Sequence, residues 1–94
     1  HVWHQYTVLV NRNAKLDRNE LAKRLLESGV QCGIYYPRPV FDYPCFHNHP
    51  LVVGTDVPVA KSVSQRCLSL PVHPSLSDSD LDRIIDSVRS LLTG

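Results

Sequence analysis

Tyr35, Tyr36 and Arg38 stand together in the run Tyr35-Tyr36-Pro37-Arg38-Pro39. A strand that breaks into a rigid proline turn can hold such side chains toward a ligand, so the chemistry here is recognition. His4 and Tyr6, two apart on an earlier strand pattern, would share that edge if the two strands are neighbours. Cys45, His47 and His49 place three metal-ligand types at alternate positions of a loop. That spacing is not an established zinc pattern and a fourth ligand must come from elsewhere, so exposed polar loop residues are the better reading and no metal is expected. His1 and His4 are weaker still, because strand residues three apart face opposite sides.

Bond-making residues do not emerge. No serine stands in a G-x-S-x-G setting. The four glycines are scattered, with no G-x-G for a phosphate loop. Lys15, Lys23 and Lys61 read as surface charges on or beside helices rather than desolvated Schiff-base lysines. No catalytic residue is assigned.

The elements that must position these residues are read from periodicity. Val2 to Val10 reads as a strand, apolar on both faces toward its end and so buried on both sides there. Asp17 and Glu20 have capping-box spacing at the start of a helix, flanked by a Leu16/Leu21 staple. Leu21, Ala22, Leu25 and Leu26 make its apolar stripe, with Arg18, Lys23, Arg24 and Glu27 outside it. Gly29 supplies the stop. Val30 to Tyr36 reads as a second strand, ended by Pro37. Residues 38–56 are loop, yet Phe41, Tyr43, Phe46 and Leu51 are too apolar for a flexible linker, so the loop is expected to pack against a surface outside this chain. Pro58 starts a second helix whose buried stripe would be Val59, Ala60, Val63 and Cys67. Leu68-Ser69-Leu70 is a short strand. Ser77 caps a last helix with Leu81, Ile84, Ile85, Val88, Leu91 and Leu92 on one face. The order strand, helix, strand, loop, helix, strand, helix predicts an α/β fold, a small sheet covered by helices.

Ninety-four residues make one small domain, residues 1–94, or one piece of a larger protein. With 43% hydrophobic and 20% charged residues the chain is globular rather than disordered. A net charge of +1 leaves no basic footprint for nucleic acid and no polybasic membrane patch. No run of 18 apolar residues spans a membrane. Three cysteines without C-x-x-C spacing read as reduced thiols in a cytoplasmic protein. The absence of any methionine favours a fragment.

In order along the chain, His1-Val2-Trp3-His4-Gln5-Tyr6, Asp17-Arg18-Asn19-Glu20-Leu21, Gly29 to Pro37, Val57-Pro58-Val59-Ala60, Cys67 to Pro74 and the Leu76-to-Leu92 helix form a specific set. The set resembles the C-terminal small domain of DegT/StrS-type sugar aminotransferases, pyridoxal-phosphate enzymes of fold type I acting on nucleotide-linked keto-sugars. The resemblance implies a missing N-terminal large domain that carries the Schiff-base lysine and most cofactor contacts. It implies amino transfer, usually from glutamate, a homodimer with active sites at the subunit interface, and a small domain forming one wall of the substrate cleft. By position, His4 and Tyr6 match the family's His-x-aromatic start, and Tyr35-Tyr36-Pro37 its His/Tyr-Tyr-Pro turn. Many relatives carry histidine where Tyr35 and Phe41 stand. The residues expected to face substrate are therefore Tyr35, Tyr36, Arg38, His4 and Tyr6, with Arg38 suited to a carboxylate or phosphate. Pyridoxal phosphate is expected in the parent enzyme and not on this chain alone, which would be inactive by itself. The alternative is a free-standing, non-catalytic α/β binding or regulatory module that dimerises through its apolar loop.

Overall fold

Local signals decide where the helices start and stop. In the computed structural model, which describes residues 2–93, α1 runs Arg18–Glu27. The Asp17 carboxylate accepts the Glu20 N–H at 2.9 Å, as an N-cap should. Glu20 does not complete a reciprocal box; its carboxylate takes the Arg24 Nε–H at 2.8 Å instead. Gly29 has φ +82°, and its N–H and that of Val30 bond back to Leu26 and Leu25 at 2.9 and 2.8 Å. This is a Schellman stop, with Val30 and Leu25 both in the core.

The other helices are α2 (Pro58–Arg66) and α3 (Asp78–Thr93). Ser77 and Asp80 form a full capping box on α3: Asp80 N–H donates to Ser77 Oγ at 3.1 Å, and Ser77 N–H to the Asp80 carboxylate at 2.9 Å. The Ser77 N–H first, and then the Ser77 hydroxyl, which donates to the same carboxylate at 2.7 Å, hold the Asp80 carboxyl below its ordinary range.

The fold is the small α/β arrangement expected, with shorter strands. Strand β1 is Tyr6–Leu9, not Val2–Val10, and pairs antiparallel with β2, Cys67–Leu70, in the register Tyr6↔Leu70 to Leu9↔Cys67. The expected strand at Val30–Tyr36 reduces to one antiparallel bridge, Gly33↔Ser69. Continuing that register would set Gln31 opposite Pro71, which has no N–H to give. At the other end Tyr36 takes φ +57° and turns the chain away.

The core lies on one face of this ribbon. Val10, Leu21, Leu25, Val30 and Leu68 are its buried centre, with Ile84, Val88, Leu91 and Leu92 of α3 packed against it. Among the described residues α1 and α3 supply the helices packed in that core, and on the other face Leu9 is 51% exposed rather than buried on both sides.

Two amphipathic readings change. Leu26 is exposed, whereas Arg18, expected outside the stripe, is 7% exposed. Its Nη1 donates to the carbonyls of Ser64 and Cys67 at 3.0 and 2.9 Å, and its Nε to Asn19 Oδ1 at 2.7 Å. A guanidinium thus caps the carbonyl end of α2 from another helix, where positive charge meets the negative pole of the dipole. Arg83 does the same for α1, donating to the Ser28 carbonyl at 2.9 Å. This anchoring turns the Ser64 side of α2 inward and leaves the expected buried stripe outward: Val59 is 75% exposed, and Ala60 and Val63 are exposed too. Cys67 is the C-cap of α2 and opens β2, so it does not belong to the helix's stripe.

Residues 38–56 are loop as expected, tightened by two short 3-10 turns at Val40–Asp42 and Pro44–Phe46.

Candidate functional site

Alternation along β1 and β2 fixes what each sheet face offers. Val8 and Leu68 point to the core, so Thr7 and Ser69 point the other way and hydrogen-bond through their hydroxyls at 2.8 Å. The chain runs on from the Gly33 bridge beside β2 toward Pro39, and two clefts adjoin it, both lined by Tyr35 and Ser69.

The larger cleft, about 600 Å³, lies between this segment and α2 and is mostly apolar. Tyr36, Arg38, Phe41, Ala60 and Val63 line it. The Arg38 guanidinium sits over the Tyr43 ring, 5.7 Å from its centroid, a cation–π contact that holds the side chain at the rim. Tyr36 keeps a left-handed φ of +57° just before Pro37, while its side chain is 78% exposed. A bulky residue held in that region, with proline following, is strained.

The second cleft, about 500 Å³, opens where the bridge ends and is polar. His4, Gln31, His73 and Arg83 line it, with Asp80 at the start of α3. Tyr35 is the partition, lining both clefts. Its ring lies on Gly33, where a Cβ would overlap it unless the ring moved, so the glycine permits this close approach. Its carbonyl accepts the Cys67 thiol at 3.7 Å.

Of the five residues expected to face substrate, Tyr35, Tyr36 and Arg38 share the apolar cleft, and His4 joins Tyr35 in the polar one. Tyr6 lines neither cleft. It lies on the opposite face from Thr7, with its ring 5.4 Å from that of Trp3. His1, part of the opening motif, lies outside the described residues. Sequence reasoning passed over His73, Gln31 and Arg83. The available signal was the Pro71-Val72-His73-Pro74 turn, which sets a histidine at a strand end as Pro37 does for Tyr36.

Cys45, His47 and His49 do not converge: His47 Nε2 is 3.1 Å from the Asp42 carbonyl, and His49 Nδ1 accepts the Leu51 N–H at 3.2 Å. Among the described residues no three histidine, cysteine or acidic side chains could hold a metal together. Burial pushes the Cys32 thiol up, which keeps it protonated. Lys15, Lys23 and Lys61 are exposed and none lines either cleft, so these residues do not fit a Schiff-base cofactor site. No described helix is long and apolar enough to cross a membrane.

Residues 1–89 match the DegT/DnrJ/EryC1/StrS aminotransferase family. The chain belongs to that family. It is 33% identical over 94 residues to a UDP-N-acetyl-3-dehydro-alpha-D-glucosamine 3-aminotransferase of Acidithiobacillus ferrooxidans, covering 100% of this chain and 23% of the relative. A dTDP-3-amino-3,4,6-trideoxy-alpha-D-glucose transaminase of Micromonospora megalomicea is 35% identical over 92 residues, 97% of this chain and 24% of the relative. A crystal structure of a family aminotransferase from Brucella abortus superposes with a TM-score of 0.70 at 29% identity, covering 98% of this chain and 23% of that one. The chain therefore spans under a quarter of the length of the relatives it matches.

Proposed function

We propose that this DegT/StrS-family chain is the small domain of a pyridoxal-phosphate aminotransferase that moves an amino group, from glutamate, onto a nucleotide-linked keto-sugar. The observation that carries the reading is the family match across residues 1–89, joined to a strand-end turn that gathers Tyr35, Tyr36 and Arg38 in one cleft. In this reading the domain is one wall of the substrate cleft. Arg38 faces a carboxylate or phosphate, and its stacking on Tyr43 limits the rotamers it must lose on binding. Tyr35 and Tyr36 orient the sugar or nucleotide through their hydroxyls, His4 approaches from the polar cleft, and Tyr6 belongs to the same opening motif.

The cofactor, which carries the amino group between donor and acceptor, is held by the rest of a family-length polypeptide, since the lysines here are exposed and away from both clefts. The assembly is a cytoplasmic homodimer. The experiment is a coupled 2-oxoglutarate assay on a family-length protein carrying this chain, with glutamate and a panel of UDP- and dTDP-linked keto-sugars. Turnover with one sugar, and a rise in KM for it of about tenfold or more in Arg38→Ala with a smaller change in kcat, supports the reading. No amino transfer to any keto-sugar overturns it.

A further inference from the structure

Antiparallel register decides which partners the segment carrying Tyr35 and Tyr36 could have. Gly33 and Ser69 exchange both backbone bonds, the Gly33 N–H donating at 2.9 Å and the Ser69 N–H at 2.8 Å. In an antiparallel ladder the next such pair lies two residues further along, which here would be Tyr35 with Cys67. That pair does not form, because both backbone groups of Cys67 are taken. Its N–H donates to the Val63 carbonyl as the C-cap of α2, and its carbonyl accepts Arg18 Nη1–H at 2.9 Å. The third strand therefore stops after one bridge, and no backbone N–H among the described residues claims the Tyr35 carbonyl.

The Cys67 thiol fills that place. Its Sγ lies 3.7 Å from the Tyr35 oxygen and 3.8 Å from the Ser64 oxygen. Ser64 already accepts Arg18 Nη1–H at 3.0 Å, which leaves Tyr35 as the acceptor without another donor. Among the described residues this is the one hydrogen bond tying residues 34–37 to the rest of the chain. A thiol is a weak donor, yet it acts where rotation matters. The oxygen it holds belongs to the peptide joining Tyr35 to Tyr36, so holding it sets how Tyr36 enters its left-handed φ of +57°. A bulky residue persists there when its surroundings over-determine the conformation. Upstream the Tyr35 ring rests on Gly33, and downstream Arg38 stacks on Tyr43. Cys67 lies between these two contacts, in the wall of the apolar cleft.

We propose that Cys67 is a positioning residue for the substrate-facing turn: its thiol, donating to the Tyr35 carbonyl in place of the missing ladder bond, sets the direction of Tyr35, Tyr36 and Arg38 before substrate arrives. This rests on the proposed function, which makes those three side chains the ones that meet the nucleotide-linked sugar. A preset turn loses less freedom on binding than a loose one, so loss of the thiol is felt in KM rather than kcat.

The test compares Cys67→Ala, which removes the donor, with Cys67→Ser, which keeps one. In the ligand-free 94-residue chain, NMR relaxation should show the amides of Ile34, Tyr35 and Tyr36 falling from an order parameter of about 0.85 to below about 0.6 in Cys67→Ala. Gly33 and Ser69 should stay rigid, Cys67→Ser should match the parent, and the thermal midpoint of Cys67→Ala should fall by no more than about 5 °C. In a family-length protein carrying this chain, Cys67→Ala should raise KM for the keto-sugar about fivefold with kcat within about twofold, and Cys67→Ser should restore KM. Unchanged order parameters in Cys67→Ala overturn the proposal. Equal loss of order in both variants overturns it by making the sulfur a packing group. A larger fall in midpoint does so by making Cys67 a support of the whole fold, and a turn that loosens while KM holds does so by removing its part in binding. Absence of amino transfer from the family-length protein refutes only the aminotransferase reading, because the relaxation measurement decides without substrate whether the thiol holds the turn.

Discussion

Replacing Arg18 with leucine should cost the fold about 3 kcal/mol, because it removes three charge-assisted bonds, two of them to backbone carbonyls and worth about 1.5–3 kcal/mol each, while relieving part of the guanidinium's desolvation. The two carbonyls at stake belong to Ser64 and Cys67, and both would lose their guanidinium donor in a largely covered site. A chain of this size has about 5–14 kcal/mol of stability in all, so the change is large. At about 4–8 °C per kcal/mol it lowers the thermal midpoint by roughly 12–24 °C. Arg18→Lys should recover about half, since an ammonium can donate to the carbonyls as Nη1 does but lacks the fixed planar aim and the Nε–H bond to Asn19. Arg24→Ala is the control. Its ion pair with Glu20 is short at 2.8 Å but solvent-exposed on both sides, so its loss should cost at most about 0.5 kcal/mol. Urea and thermal melts followed by circular dichroism read all three. If Arg18→Leu melts within about 3 °C of the parent, the cross-helix cap is not what fastens α2, and the account of why its apolar stripe faces outward fails with it.

Gly33→Ala should drive the Tyr35 ring off the backbone and cost about 1–3 kcal/mol by overpacking. In Gly33→Ala/Tyr35→Ala the two costs should fall short of additivity by more than about 1 kcal/mol in urea melts, whereas strict additivity would mean that the ring does not rest on Gly33. Asp80 has a folded-state pKa below the ordinary aspartate value, so its contribution is present above that value and lost as pH falls through the lower folded one. Acid titration of thermal stability should therefore show a drop below about pH 4 that is shallower in Ser77→Ala; identical slopes would sink the linkage.

The helices were legible because their punctuation is local. Asp17, Gly29, Ser77 and Asp80 act within four residues of themselves, so spacing alone reports them. Strand lengths were not, since whether Val30–Tyr36 joins a ladder depends on Pro71, some forty positions away. Periodicity told that α2 has an apolar stripe but not which way it faces, because that is settled by Arg18 reaching Ser64 across 46 positions. Tyr35, Tyr36 and Arg38 could be picked out because prolines fix the turn that carries them. The polar cleft could not: His4, Gln31, His73 and Arg83 come from four separate segments that only tertiary structure brings together.

The pairing of Tyr6 with Leu70 joins residues 64 positions apart. On a ribosome adding about 5–20 residues per second, β1 emerges roughly 3–13 s before the strand that completes it. During that interval α1, with its own cap and stop, and later α2 can form from neighbouring residues, while Tyr6 to Leu9 is an unclaimed edge. Nascent β1 is therefore the segment on which a chaperone, or a misplaced strand from another chain, would act first.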